Sequence, residues 1–418
     1  MIFLSIICII QSVFMLSFSI NKLFKKRYNA AILYYPVFFL IFPFHNILDI
    51  TFGLPEYKSS ISSLEDTLYN DDASIIYYIF IFIMNFIFFV FFIGKKQSIS
   101  INNINVNKLA IVSLWLIALS GPLSLSLTNN PSTYLVYGEI RNYIGQEQYD
   151  EYSLVWIFSF FSSISVISLR FIYGKKINIL LSILLISLLI IDLYINNKRF
   201  IYGLIIVYAV ISFFYSTKRT FKFLNVLLSI IIFSVLYITY SFNYKYDYSQ
   251  TTSEVYASTR HELSRDDVLR YVIQEKLLGE KNIVEYSGQT YLSIIFGFIP
   301  RKMWPDKPYP YGQYLTNKVL HNNVGPALGT WTITTSVYDE AIANFGWYGF
   351  IFIFIFIVAM LNMINRHSSL LVKSLLFIIL VFYSFTNVNW FLPIVYFVTL
   401  LILLKIAKNI LISPRRIK

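Results

Sequence analysis

Arginine suits a diphosphate because its planar guanidinium presents several donors in a fork. Arg141, Arg199 and Arg301 each have few acids nearby in sequence, so a phosphate ligand role and a structural role are open for all three. Arg301 falls within Ile299-Pro-Arg-Lys-Met-Trp-Pro-Asp-Lys-Pro308, which also supplies Lys302 and Lys307. Arg265 and Arg270 are different, because Asp266, Asp267 and Glu275 stand close enough to pair with them. Among carboxylates, Asp339 and Glu340 sit where polar sequence meets an apolar run. Burial there would raise a carboxyl pKa toward general-base range. Glu139 and Asp306 are rivals, and His261 and His321 are the histidines set in polar sequence. Each of these also has a plain reading as an interfacial charge or a hydrogen-bonding side chain. No metal-ligand spacing, P-loop or dinucleotide fingerprint is present, so we expect no metal and no cofactor.

The elements that must hold these residues are apolar. The 418 residues are 57% hydrophobic and 13% charged, with a mean hydropathy of +0.62. A soluble domain carries about 25% charge. We therefore expect an all-α polytopic membrane protein, one integral membrane domain over 1–418. Apolar runs predict about eleven spans, at 2–20, 30–48, 74–93, 109–127, 153–173, 177–195, 201–216, 223–242, 346–364, 369–385 and 391–407. The run at 2–20 lacks a preceding basic region and reads as a retained helix. The single cysteine, Cys8, allows no disulfide within the chain.

Placing the N-terminus outside puts 20 of the 34 basic residues in the inner segments, which contain no Asp or Glu. That satisfies the positive-inside bias. The net charge of +12 is then a topology signal, not a nucleic-acid surface. The expected orientation is N-out and C-in. Lys198 and Arg199 are then cations in a very short outer turn, where the bias disfavours them. The acid-rich segment 49–73 reads as a solvated loop.

The largest outer segment is 243–345. Ser264-Arg-Asp-Asp267 predicts a helix start with Ser264 as cap, and the helix should stop at Gly279. Val268, Leu269, Val272, Ile273 and Leu277 form its apolar stripe, so it should lie on the membrane or on the bundle. The run 291–299 is too short to cross a core of about 30 Å and predicts a re-entrant dip. Pro300, Pro305, Pro308 and Pro310 then enforce an extended path. Helical pattern resumes near Thr332 and runs into the span at 346–364.

Three patterns resemble the Wzy-type O-antigen and oligosaccharide repeat-unit polymerases: the proline-basic segment, Tyr338-Asp-Glu-Ala-Ile-Ala-Asn-Phe-Gly-Trp-Tyr-Gly349, and the turn Asn197-Lys-Arg199. The span layout is similar along nearly the whole chain; the sequence patterns cover about fifty residues. Some members carry an arginine followed by glycine sixteen positions later, and no arginine here does. The resemblance implies glycosyl transfer on the outer face of the bacterial cytoplasmic membrane. Donor and acceptor would be undecaprenyl-diphosphate-linked oligosaccharides, and a chain-length regulator is an expected partner. It implies diphosphate binding by Arg301 and Arg199, with Arg141 and Lys307 as further cations, and Arg301 countering charge on the leaving group. Glu340 or His261 would be the base. Trp304, Tyr309 and Tyr311 would stack on sugars or form an interfacial belt. A glycan ligase shares this layout and donor, and a flippase is the non-enzymatic alternative.

Overall fold

The structure is a computed structural model of all 418 residues. It describes residues 2–24, 29–57, 61–93, 108–134, 146–173, 177–196, 256–257, 260, 264–296, 299, 303–327, 332–367 and 370–385. Among these there is no strand. The α-helices in chain order are α1 (Ile2–Phe24), α2 (Ala30–Ile41), α3 (Pro43–Phe52), α4 (Ser62–Asp66), α5 (Asp71–Ile93), α6 (Lys108–Ser124), α7 (Gln146–Tyr173), α8 (Ile179–Asn196), α9 (Asp266–Val272), α10 (Gln289–Ile295), α11 (Tyr311–His321), α12 (Val337–Phe345), α13 (Tyr348–Arg366) and α14 (Leu370–Phe385).

Five stretches among the described residues are long and apolar enough to cross a membrane: Phe3–Leu23, Ala30–Phe52, Asp71–Ile93, Ile179–Asn196 and Tyr348–Arg366. Shorter apolar helices occupy Ile111–Leu127 and Leu154–Arg170. The chain is thus a helical membrane protein. The expected spans at 201–216, 223–242 and 391–407 lie outside the described residues. The expected span 30–48 is two helices, because Pro43 begins α3 and Phe42 separates it from α2.

The chain divides into two compact units. The first combines residues 1–100, 250–368 and 372–394. Lipid offers helices no hydrophobic drive to associate, so close packing and hydrogen bonds must hold them. Asn29 shows how. Its side chain caps α2 by accepting from Ile32 N at 2.8 Å, and donates to Phe91 O of α5 at 2.8 Å. The neighbouring Ala30 N donates to Asn365 of α13 at 2.8 Å. One end of α2 is thereby pinned to one end of α5 and of α13. Mid-helix, Tyr35 donates to Asn85, which donates to Ser12 at 2.9 Å, joining α2, α5 and α1. An aromatic core of Phe38, Phe42, Phe80, Phe88 and Tyr338 fills the space between, with Phe42 edge-on to Tyr338 at 4.9 Å.

The second unit comprises residues 101–249, 369–371 and 395–418. Its described part is chiefly α6, α7 and α8. Buried serines at 159, 162, 163, 165 and 168 line α7. Small side chains let helices approach closely. Gly121 of α6 has no room for a Cβ, because the Asp192 carboxyl and the Ser162 side chain occupy that space.

Candidate functional site

The pattern Tyr338–Gly349 is a helix, a break and the start of a second helix. Ser336, in extended backbone, accepts from Asp339 N, and the Asp339 carboxylate accepts from Ser336 N at 2.8 Å. This reciprocal cap starts α12 at Val337. The helix therefore begins five residues later than the pattern from Thr332 predicts. Gly346, at φ 58°, ends it. A left-handed residue there suits glycine and breaks the run into α13. Gly349 then lets α13 lie against α12: a Cβ on it would sit 2.6 Å from backbone atoms of Ala341 and Ile342. Both motif glycines thus have steric reasons.

This geometry buries Asp339 and Glu340 completely. Thr290 of α10 donates to Glu340 Oε1 at 2.7 Å, and Tyr383 of α14 donates to Oε2 at 3.2 Å. Asn344, one turn on, donates to Thr290 Oγ1 and to Glu340 O, and accepts from Gly288 N. Burial pushes the Glu340 carboxyl up to about 8; the Thr290 bond opposes this, and the neighbouring Asp339 adds to it. Burial likewise raises Asp339 to about 7, against the pull of the Ser336 cap. Asp339 Oδ2 takes no hydrogen bond among the described residues. At neutral pH Glu340 therefore holds its proton. Such an acid, with a pKa near working pH, suits proton transfer once substrate or water reaches it. Separately, the Tyr338 and Tyr34 hydroxyls are 2.7 Å apart, Tyr34 donates to Ser384 at 2.5 Å, and Ser384 donates to Leu380 O.

The proline-basic segment reaches this site through α10. Thr290 near one end of α10 touches Glu340, while Phe296 beyond its other end packs edge-on to Trp304 at 5.8 Å. Six residues of helix rise separate the two, about 9 Å. Residues 303–310 are non-helical, as the prolines require. Lys307 Nζ donates to Ile299 O at 2.9 Å, which clips the segment into a loop. Trp304 and Tyr309 are half-buried, and Tyr309 N donates to Tyr314 OH. Tyr311 opens α11, a helix the proline reading did not foresee; Pro310 stands at its cap, where proline is tolerated. Tyr311 is fully buried and donates to Asp339 O at 3.4 Å, so its ring offers no face to a sugar in this packing. Arg141, Arg199, His261 and Arg301 lie outside the described residues.

The amphipathic helix expected after Ser264 differs in its start and takes the bundle, one of the two settings expected for it. It begins at Asp266, with Arg265 at the cap position, passes into a π turn at Ile273–Leu278 and ends before Gly279. Ser264 bonds Asp266 instead of Asp267. Asp267 is occupied elsewhere, accepting from Tyr57 OH at 2.8 Å and from Val268 N. All seven residues of α9 are buried, so it packs within the bundle and not on a lipid surface. Its charges form a neutral interior network. Arg260 ion-pairs with Asp49 and Asp266, and Tyr256 donates to Asp49 at 2.6 Å. Arg270 donates to Ser74 and Asn46 at 2.8 Å and lies over the Tyr77 ring at 4.3 Å. Asp49, expected in a solvated loop, is thus at the end of α3 with a buried cation.

Thr290, Asn344, Tyr383 and Ser336 were not singled out from sequence. Ser336-x-x-Asp339 is a readable capping pattern. Thr290 and Tyr383 meet Glu340 from 50 and 43 residues away, and no local signal marks them. Comparison of the chain with known protein families, curated proteins and solved structures finds no match.

Proposed function

We propose that this chain is a glycosyltransferase that polymerises undecaprenyl-diphosphate-linked oligosaccharide repeat units, in the manner of the Wzy-type polymerases it resembles. In this reading it crosses the bacterial cytoplasmic membrane about eleven times, N-out and C-in. Residues 243–345 then form the outer stretch, including a re-entrant run before the proline-basic segment, and the whole chain acts as one membrane domain. The acceptor hydroxyl attacks the donor's anomeric carbon, the bond to the lipid diphosphate breaks, and the hydroxyl proton passes to His261, or to Glu340 once the latter has released its own proton to entering water. Arg301, with Arg141, Arg199 and Lys307 as further candidates, meets the diphosphate and counters the charge that grows on it. Trp304 and Tyr309 are the rings left to meet sugars. The observation that carries the reading is the short α10 link between the proline-basic segment and a buried carboxylic acid of raised pKa. Arg301→Ala at normal protein level should leave single repeat units at the cell surface and no ladder of longer chains; a full ladder removes Arg301 from the mechanism.

A glycan ligase would use the same donor with a different acceptor, and its loss would leave no unit attached. A transporter of lipid-linked oligosaccharides has one observation in its favour: Asp192 is buried inside a span. Purified protein that polymerises lipid-linked units in detergent excludes a pure transporter.

A further inference from the structure

We infer that Asp192 is an intramembrane proton site in the α6, α7 and α8 bundle, protonated while the bundle is packed and ionised only when the packing at Gly121 opens. The inference is independent of the glycosyl-transfer reading. Asp192 lies one turn from the end of α8, within a membrane-spanning stretch, and is wholly buried. An ionisable side chain wholly buried between apolar helices is costly unless it is paired, and calls for an account. Its Oδ2 accepts a hydrogen bond from Ser163 at 3.1 Å. Its Oδ1, packed on Gly121, takes none among the described residues. The Ser162 hydroxyl beside it is donated to Ala118 O at 2.5 Å. Two neighbouring serine hydroxyls, one of them already given to Ala118 O, do not repay the desolvation of a carboxylate.

No described group supplies the missing charge. The other ionisable side chains described on the three helices are Tyr152, Arg170, Tyr173 and Tyr194. Arg170 is seven residues past Ser163 along α7, about 10 Å by helix rise. The polar neighbours extend the same deficit of donors. Asn196, four residues after Asp192, gives its amide to Trp156 O and Ser159 Oγ, while its own Oδ1 has no partner among the described residues. Two buried acceptors one turn apart therefore lack donors among the described residues, and a proton on the carboxyl is the smallest group that meets the need at Asp192. A bound metal cation fits poorly, because Oδ1 already occupies the space against the Gly121 backbone. Loss of the proton leaves a bare carboxylate, so water must enter to receive the proton and solvate the charge. Deprotonation and separation of α6 from α8 are then one event.

The test is the infrared difference spectrum of the full chain in lipid nanodiscs at neutral pH, wild type minus Asp192→Asn. The expected result is the carbonyl stretch of a protonated carboxylic acid in the wild type, unaffected by sodium ions. Ser163→Ala, which removes the hydroxyl donor, should move that band to higher frequency. Because Asn imitates the neutral acid, Asp192→Asn should also keep an apparent melting temperature close to wild type. Absence of the band, its loss on adding sodium at fixed pH, or its indifference to Ser163→Ala would each overturn the assignment.

Discussion

Glu340→Gln separates a buried neutral acid from a buried carboxylate. In the unfolded chain the Glu340 carboxyl titrates near 4.5, and in the folded chain near 8. Between those values the native state holds a proton that the unfolded state has released. The stability associated with this group is therefore complete below about pH 4.5 and is lost as pH rises toward 8, at about 1.4 kcal/mol per pH unit. Glutamine cannot titrate. It keeps an acceptor for Thr290 and presents a donor to Tyr383, so the variant should match the wild type near pH 4 within about 1 kcal/mol. The gap then opens in favour of glutamine, reaching on the order of 4 kcal/mol by about pH 7.5 and levelling above 8. Asp339 titrates in both proteins and largely cancels. Apparent melting temperatures of the detergent-solubilised chain, taken across this range, would show the variant several degrees above wild type at neutral pH. A variant that loses stability relative to wild type as pH rises would mean an ionised Glu340 held by its donors, and would refute the reasoning. Polymer ladders from the same variant add the functional answer: a base at this position makes glutamine inactive at full protein level.

Gly349→Ala drives a methyl into the backbone of α12 and should cost about 1–3 kcal/mol, read as a lowered melting temperature. Arg260→Gln leaves Asp49 without its buried cation and Asp266 with only the more distant Arg270, at 3.9 Å, and should cost about 3–5 kcal/mol, part of which Asp49→Asn in the same chain restores. Tyr311→Phe removes one long hydrogen bond and should change stability by less than about 1 kcal/mol and leave the ladder intact. Loss of the ladder in a stable Tyr311→Phe protein would give that hydroxyl a ligand role.

The membrane class was legible because lipid forces long charge-free runs, and α1, α5, α8 and α13 coincide with such runs to within a few residues. Helix interruptions were harder. Pro43 and Gly346 mark real breaks, but an apolar run through either reads as continuous by hydropathy. Glu340 was visible as a carboxyl at the edge of an apolar run, and its burial agrees with that reasoning. Its partners were not visible, since Thr290 and Tyr383 are ordinary residues until the fold brings them to it. Arg265 and Arg270 were read by their neighbours in sequence, but Arg260 pairs with Asp49, 211 residues away. Local charge pattern has no access to such a pair. The stripe on α9 was correct for one face, but polar residues on its other faces are buried too, because they answer one another inside the bundle.

That distant pair also orders events during synthesis. Asp49 leaves the ribosome 211 residues ahead of Arg260. At about 5–20 residues per second, the aspartate waits roughly 10–40 s for its cation. Ala30 waits longer still for Asn365, 335 residues behind it. During that interval the second unit's segment 101–249 is made, while the first unit exists only as its opening helices. The nascent chain therefore holds an unfinished bundle in the bilayer and closes it from the far end. A chaperone or insertase that shelters α1 to α5 has its substrate in this window, and a chain truncated before residue 260 never leaves it.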